Sequence, residues 1–280
     1  MMDIKAIMKK YGIKADKRLG QHFLTDEDPI HAMLNAAGIH RKDCVLEIGP
    51  GLGVLTVKLC EKAGKVVAVE KGRNLIPVLK STTRDFKNIC IIEEDVLKLD
   101  LELLKEQYFN SDFKVVANLP YYITSPIVMK IVENRSMIKV AVVMVQKEVA
   151  HRLTALPGGK DYGILSIAVQ LYADVDIVCE VGREAFIPPP KVDSAVVRIL
   201  LRQEPRVMLE DEALFFKVVE AAFGERRKTI RNSLKGRLVF PGISLDKIDA
   251  ALEQAGIDPT RRGETLSIKE FARLTAVLRH

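Results

Sequence analysis

Short apolar runs alternate with amphipathic stretches over the first two thirds of the chain. Residues 43–49, 65–70, 89–94, 113–118 and 138–146 are β-branched and apolar along most of their length, the pattern of strands buried on both faces. Between them, residues 54–63, 74–81, 99–107 and 126–134 have helical character. Another helix is predicted over 26–38, where Ile30, Met33, Leu34 and Ala37 share a face, acidic residues open the first turn and Gly38 closes the last. This rhythm predicts a doubly wound parallel α/β sheet. A helix over 147–155, a turn at 157–161 and two final strands over 175–181 and 194–201 follow, for seven strands in all.

After Glu204-Pro205 the strand formers thin out. Residues 207–280 show helical periodicity punctuated at Gly224, Gly236, Pro241-Gly242 and Asp258-Pro259. The expected organisation is one domain over 1–204, with a basic N-terminal segment, and a small all-helical domain over 205–280.

Composition narrows the class. With 280 residues, 48% hydrophobic and 29% charged, the chain can bury a sizeable core. No apolar run approaches the roughly 20 residues of a membrane helix. The first ten residues are basic and amphipathic without a signal-peptide core. A cytoplasmic protein with no membrane partner is expected. Cys44, Cys60, Cys90 and Cys179 are scattered through apolar segments and read as reduced thiols. The five histidines have no metal-ligand spacing, so no metal is expected. No heptad or other dimer signal is visible, and a monomer is expected.

Charge is more informative by position than in total. Residues 1–22 carry +4 and residues 223–237 carry +5, leaving −3 on the rest of a chain whose net charge is +6. Two basic patches on a nearly neutral body suggest a polyanionic partner such as nucleic acid. A solvated helix face is the ordinary explanation of either patch alone.

The candidate chemistry sits at strand ends. Glu47-Ile48-Gly49-Pro50-Gly51-Leu52-Gly53 links the first strand to its helix, and glycines there let backbone turn tightly and approach a ligand. The G-x-G-x-G spacing departs from the dinucleotide fingerprint, which counts against a pyrophosphate-bearing cofactor and a nicotinamide oxidoreductase. Glu70 ends the second strand 21 residues after Gly49, Asp95 ends the third 25 residues on, and Asn118 ends the fourth 23 beyond that. In a doubly wound sheet those ends form one crevice. A single acidic residue there is more often a cap or turn former; four such positions in register are hard to assign to caps alone. The set suits S-adenosyl-L-methionine, with Glu70 accepting from the ribose hydroxyls, Asp95 near the adenine amine and the glycine loop along the methionine portion.

Asn118-Leu119-Pro120-Tyr121 suits a planar ring bearing an amine. The Asn118 amide oxygen and the Leu119 or Pro120 carbonyl can accept from an exocyclic NH2, and Tyr121 can stack on the ring. A strand end followed by an ordinary turn is the plain alternative. Tyr122 and Phe223 read as packing residues.

Five segments together resemble the ribosomal RNA adenine dimethyltransferases. They are Gly20-Gln21-His22-Phe23-Leu24, the 47–53 loop, Asn118-Leu119-Pro120-Tyr121, the Phe186-Ile187-Pro188-Pro189-Pro190-Lys191-Val192-Asp193-Ser194 segment, and Ala222-Phe223-Gly224-Glu225-Arg226-Arg227-Lys228-Thr229. The similarity runs in order from about residue 17 to the C-terminus, and is greatest to the branch that acts on the small subunit. It implies a Rossmann-like methyltransferase fold and S-adenosyl-L-methionine contacts at His22, Leu24, Gly49, Gly51, Glu70, Asp95 and Asn118, through side chain or backbone at His22. It implies transfer of two methyl groups to each of two adjacent adenosines near the 3′ end of 16S rRNA, with small-subunit RNA or the immature small subunit as partner. Asn118, Leu119, Pro120 and Tyr121 would carry the reaction. Phe186, otherwise a core plug before a proline run, would cover the base from its far side. Arg226, Arg227, Lys228 and Arg231 would hold RNA phosphates. The alternatives are a large-subunit rRNA adenine methyltransferase, a DNA adenine methyltransferase, for which the helical tail is small, and a non-catalytic RNA-binding assembly or transcription factor on the same fold.

Overall fold

The computed structural model describes residues 2–15, 20–225, 227–236 and 244–279. The chain forms two compact units, Met1–Ala150 with Asp174–Gln203, and His151–Ala173 with Glu204–His280. Residues 151–173, which the sequence pattern places in the first domain, therefore group with the C-terminal helices.

In the first unit the elements run α1 (Ile4–Tyr11), β1 (Phe23–Leu24), α2 (Glu27–Ala36), β2 (Cys44–Ile48), α3 (Val54–Lys62), β3 (Lys65–Glu70), α4 (Ile76–Thr82), β4 (Ile89–Glu93), α5 (Leu101–Leu104), β5 (Phe113–Asn118), α6 (Thr124–Glu133) and β6 (Ile138–Gln146). The helix α7 (Lys147–Thr154) leads into the second unit, and α8 (Ile164–Tyr172) leads back through β7 (Ala173–Val181), β8 (Phe186–Ile187) and β9 (Ser194–Leu201).

Seven strands form one sheet in the order β4-β3-β2-β5-β6-β9-β7. From β4 to β6 neighbouring strands are parallel, with Val45 opposite Val66 and Val116 opposite Val142. β9 runs antiparallel to β6, pairing Met144 with Val196, so the sheet is mixed rather than wholly parallel. A parallel neighbour needs a crossover element, usually a helix, and the segment before β9 supplies none. The chain steps outward one way through β2, β3 and β4 and the other way through β5 and β6. The reversal between β2 and β5 is a topological switch point, where ligands bind in open sheets.

The continuous apolar runs are explained by burial on both faces: Val45, Val66, Val116 and Val142 have no exposed surface. The helix α2 lays Ile30, Met33 and Leu34 into this core, each contributing about 1.5–3 kcal/mol by burial. Asp26 caps it, accepting from the Asp28 N–H at 3.0 Å. The basic N-terminal stretch folds as α1, capped by Asp3, and packs Ile4 with Phe23, Leu52, Leu75 and Val78. Lys5, Lys9 and Lys10 are exposed on it. The helix expected over 99–107 is one turn of α-helix continued by a π-helical turn at Lys105–Phe109. Among the described residues, no helix is long and apolar enough to cross a membrane.

In the second unit, α9 (Glu212–Gly224), α10 (Ile230–Gly236), α11 (Leu245–Gln254) and α12 (Ile268–Leu278) bury Phe215 and Phe271 completely. Phe223 packs between Tyr162 and Phe271, with ring centroids 6.0 and 6.2 Å away, as its reading as a packing residue anticipates. Ser267 and Glu270 form a capping box at the start of α12.

Candidate active site

One crevice opens at the carboxyl ends of β2, β3, β4 and β5, and His22, Leu24, Gly49, Gly51, Glu70, Asp95 and Asn118 all line it. Leu119, Pro120 and Tyr121 line it as well. The parallel register puts the four strand ends level, so residues 21 to 25 positions apart in sequence converge.

The glycine loop forms the floor. Gly49 and Gly51 adopt φ of +67° and +59°, a conformation that L side chains rarely take. Gly51 donates its N–H to Glu70 Oε2 at 3.1 Å, and Gly72 donates to Oε1 at 2.6 Å. Two backbone donors thus aim the Glu70 carboxylate and leave each oxygen a free lone pair for a ligand hydroxyl. Burial raises the Glu70 carboxyl above the ordinary range, and the Gly72 and Gly51 N–H groups oppose it.

Asp95 is held differently. Its Oδ2 accepts from Lys71 Nζ at 2.9 Å and its Oδ1 from the Leu97 N–H at 3.0 Å. The Lys71 bond is the main reason its carboxyl lies below the usual range. Lys71, immediately after Glu70, lines the crevice but carries no sequence signal, because a lone lysine after a strand reads as a solvated turn.

The Asn118-Leu119-Pro120-Tyr121 segment forms the wall beside the switch point. Asn118 Nδ2 lies 3.4 Å from the His22 carbonyl, which commits the amide N–H side to main chain and leaves the amide oxygen to accept. The Pro120 carbonyl already accepts from the Ile123 N–H at 3.2 Å and the Thr124 hydroxyl at 3.3 Å. The Leu119 carbonyl has no such donor among the described residues. The Tyr121 hydroxyl bonds Ser194 Oγ at 2.5 Å, and its ring stacks on His22, centroids 5.6 Å apart and planes 24° off parallel. Burial pushes the Tyr121 hydroxyl pKa up. The His22 Nδ1–H donates to the Pro188 carbonyl at 2.7 Å, tying the N-terminal motif to the proline run, where the Ile187–Pro188 peptide is cis.

Two expectations change, and the basic cluster is seen with its partners. Phe186 is 2% exposed inside the apolar core, opposite Leu24 in the β1–β8 pair, and does not line the crevice; the apolar neighbours of a two-stranded ribbon claim its ring. Tyr122 is not a packing residue but is 49% exposed on the crevice wall. Of the cations expected to hold RNA phosphates, Arg227 is exposed, Lys228 pairs with Glu225 at 2.6 Å and Arg231 makes a two-pronged contact with Asp249 at 2.5 and 2.6 Å. Arg226 lies outside the described residues.

Glu47 was not anticipated as a site residue. It lines the crevice one residue before the end of β2, is 1% exposed, and its Oε2 has no hydrogen-bond partner among the described residues. Burial foremost, with the nearby Glu70 charge adding, raises its carboxyl to about 8; the neighbouring Thr56 hydroxyl opposes the rise without reaching full hydrogen-bond geometry. In sequence it merges with the strand that carries it.

This geometry has close counterparts. The model of the family described as "Ribosomal RNA adenine dimethylase" matches residues 12–279. The "Ribosomal RNA small subunit methyltransferase A" of Alkaliphilus metalliredigens is 48% identical over 97% of this chain and 94% of its own length. Among solved structures, a dimethyladenosine transferase from Plasmodium falciparum superposes with a TM-score of 0.77 at 30% identity, covering 90% of this chain and 96% of that one. The 23S rRNA methyltransferase ErmE gives 0.69 at 28% identity, covering 92% and 100%. With its crevice built at the switch point of a mixed seven-stranded sheet, this chain belongs to the ribosomal RNA adenine dimethylase family.

Proposed function

We propose that this chain transfers methyl groups from S-adenosyl-L-methionine to the exocyclic amine of adenosines in small-subunit rRNA, two methyl groups on each of two adjacent adenosines near the 3′ end. The carrying observation is the convergence of the glycine loop, Glu70, Asp95 and Asn118-Leu119-Pro120-Tyr121 on one crevice. The 48% identity to a small-subunit methyltransferase over nearly the whole chain supports the choice of subunit.

The crevice fits the cofactor on its own chemistry. Glu70 presents an aimed carboxylate to a diol, Asp95 an acceptor to an amine, and positive-φ glycines bring main chain close to a ligand. Bound there, S-adenosyl-L-methionine supplies an electrophilic methyl group on a cationic sulfur. The protein supplies orientation. An adenine amine is a weak nucleophile because its lone pair is delocalised into the ring. Accepting its two hydrogens at the Asn118 amide oxygen and the Leu119 carbonyl favours a pyramidal nitrogen with a localised lone pair. Tyr121, with one face against His22 and its hydroxyl fixed by Ser194, offers the opposite face to the base at about 1–3 kcal/mol for the stack. After the first transfer one acceptor has no hydrogen to receive, so ring stacking must orient more of the second.

The base must leave its stack to reach such a pocket. Arg227, and Lys228 and Arg231 on exchanging their carboxylate partners for phosphates, would hold flanking RNA with salt-dependent affinity. The test is transfer from labelled S-adenosyl-L-methionine to unmethylated small and large subunits, with nucleosides read by mass spectrometry. Dimethyladenosine in small-subunit RNA, lost in Asn118→Ala, is the expected result. Label confined to large-subunit RNA would overturn the assignment.

A further inference from the structure

The crevice wall carries one aromatic ring that the reaction as described leaves unused. Among the described residues, Tyr122 is the exposed large hydrophobic side chain of that wall, 49% exposed where Phe23 and Leu24 are 6% and 5%. It directly follows Tyr121, yet the two rings are held in different ways. Tyr121 is half-buried, its hydroxyl bonded to Ser194 Oγ and one face against His22. The Tyr122 hydroxyl makes no hydrogen bond among the described residues. Its ring rests on Gly20, where a Cβ would lie 3.4 Å from Cδ1 and 4.0 Å from Cε1. Main chain rather than a side chain therefore backs the ring on that side.

Local geometry keeps the two rings apart. Tyr121–Ile123 is one 3-10 turn. Such a turn has three residues, so consecutive side chains point about 120° apart and cannot flank the same base. Both are backed by the same N-terminal segment, Tyr121 by His22 and Tyr122 by Gly20, two residues earlier. The turn thus presents two ring platforms, one inside the crevice and one exposed at its rim.

A packing tyrosine has its ring enclosed, and a tyrosine kept for its hydroxyl has that hydroxyl bonded; Tyr122 has neither. A half-exposed ring on a binding wall suits a flat partner, and any nucleobase offers such a face. The proposed substrate supplies one. Its two adenosines are adjacent, so drawing one base into the crevice takes a stacking partner from the other. A ring beside the one that receives the target replaces the lost stack. The rival occupant is the cofactor, because Tyr122 stands near enough to Lys71 for its charge to act on the ammonium, and Lys71 holds Asp95.

We propose that Tyr122 is a positioning residue for the RNA strand, stacking on the base that adjoins the target adenosine while Tyr121 holds the target itself. This rests on the substrate reading given above.

Methylation kinetics on small subunits reconstituted from unmethylated rRNA test it, with the full chain and its Tyr122→Ala and Tyr122→Phe variants. Tyr122→Ala should lower kcat/KM by about 10–100-fold, the worth of one stacked base, whereas Tyr122→Phe, which keeps the ring, should stay within about threefold of wild type. Calorimetric affinity for S-adenosyl-L-methionine should be the same in all three proteins, which also shows that the variants fold. Coupling to the neighbouring base is the signature that a merely structural role would not move. With one adenosine of the pair replaced by uridine, a weaker stacker, kcat/KM at the remaining adenosine should fall several-fold for the wild type and no further for Tyr122→Ala. Wild-type rates in Tyr122→Ala, or equal uridine penalties in the two proteins, would overturn the proposal. Weakened cofactor affinity in Tyr122→Ala would overturn it too, by giving the ring to the cofactor. No dimethyladenosine from the wild type would overturn the substrate reading, and the proposal with it.

Discussion

The buried acid at Glu47 should make the empty protein less stable as pH rises, and the size of that effect follows from its environment. Its carboxyl is raised from 4.5 to about 8 in the folded chain. A group raised on folding contributes its full stability below the unfolded value and loses it as pH climbs toward the folded one. Between 4.5 and about 8 the folded state binds the extra proton, so each pH unit costs up to about 1.4 kcal/mol. From pH 5 to pH 7 that amounts to roughly 2.5 kcal/mol, a large share of a typical domain's stability. Glu47→Gln removes the titration and keeps the shape. Glu70 titrates in the same direction in both forms and cancels to first order. Because the chain has two units, unfolding should be followed locally. Cys60, 2% exposed on α3, is a suitable probe through pulsed thiol labelling in urea, with the site read by mass spectrometry. The stability of Glu47→Gln relative to wild type should rise by roughly 2.5 kcal/mol between pH 5 and pH 7. A difference that stays constant across that range would show that Glu47 is already ionised in the empty crevice, and the reasoning would fail.

Three other outcomes follow from the same contacts. Glu70→Gln sets an NH2 group against the Gly51 or Gly72 N–H, so it should cost about 1–3 kcal/mol in urea unfolding of the empty protein, besides weakening S-adenosyl-L-methionine in calorimetry. A loss of affinity with unchanged stability would contradict the role of those bonds in aiming the carboxylate. Tyr121→Ala should lower kcat/KM on RNA by about 10–100-fold through the lost stack, whereas Tyr121→Phe, losing only the bond to Ser194, should stay within about tenfold of wild type. Equal losses in the two variants would mean that the hydroxyl, not the ring, matters. Asp249→Asn releases Arg231 and should tighten RNA binding and steepen its salt dependence by about one counterion; unchanged binding would place Arg231 outside the RNA surface.

Most of the first unit was legible because buried parallel strands declare themselves by composition. Over Lys65–Glu70, Phe113–Asn118, Ile138–Gln146 and Ser194–Leu201 the expected and observed bounds coincide. The direction of β9 was not legible, since periodicity says that a strand exists and nothing about its sense. The helix α8 escaped notice for a related reason: Ile164–Tyr172 is apolar and buried on most of its surface, leaving almost no polar face to reveal a helical period. The ribbon of β1 and β8 is two residues per strand, too short for any pattern. Phe186 shows how local context misleads, because an aromatic before a proline run presents the same letters whether it covers a ligand or plugs a core.

The site was legible in position more than in chemistry. Spacing brings Gly49, Glu70, Asp95 and Asn118 together, because strand and helix lengths fix where each strand ends. It cannot show what each side chain is already doing. Glu70 is held by two backbone N–H groups, Asp95 by Lys71, Tyr121 by Ser194 and His22, and Asn118 by the His22 carbonyl. Each of these groups is oriented before any ligand arrives, so binding need spend little ordering them. Glu47 is the exception, a buried carboxyl whose Oε2 has no hydrogen-bond partner among the described residues. In a wall otherwise fixed by its own contacts, it is the carboxyl that burial perturbs most, and so the point where the stability of this unit depends most steeply on pH.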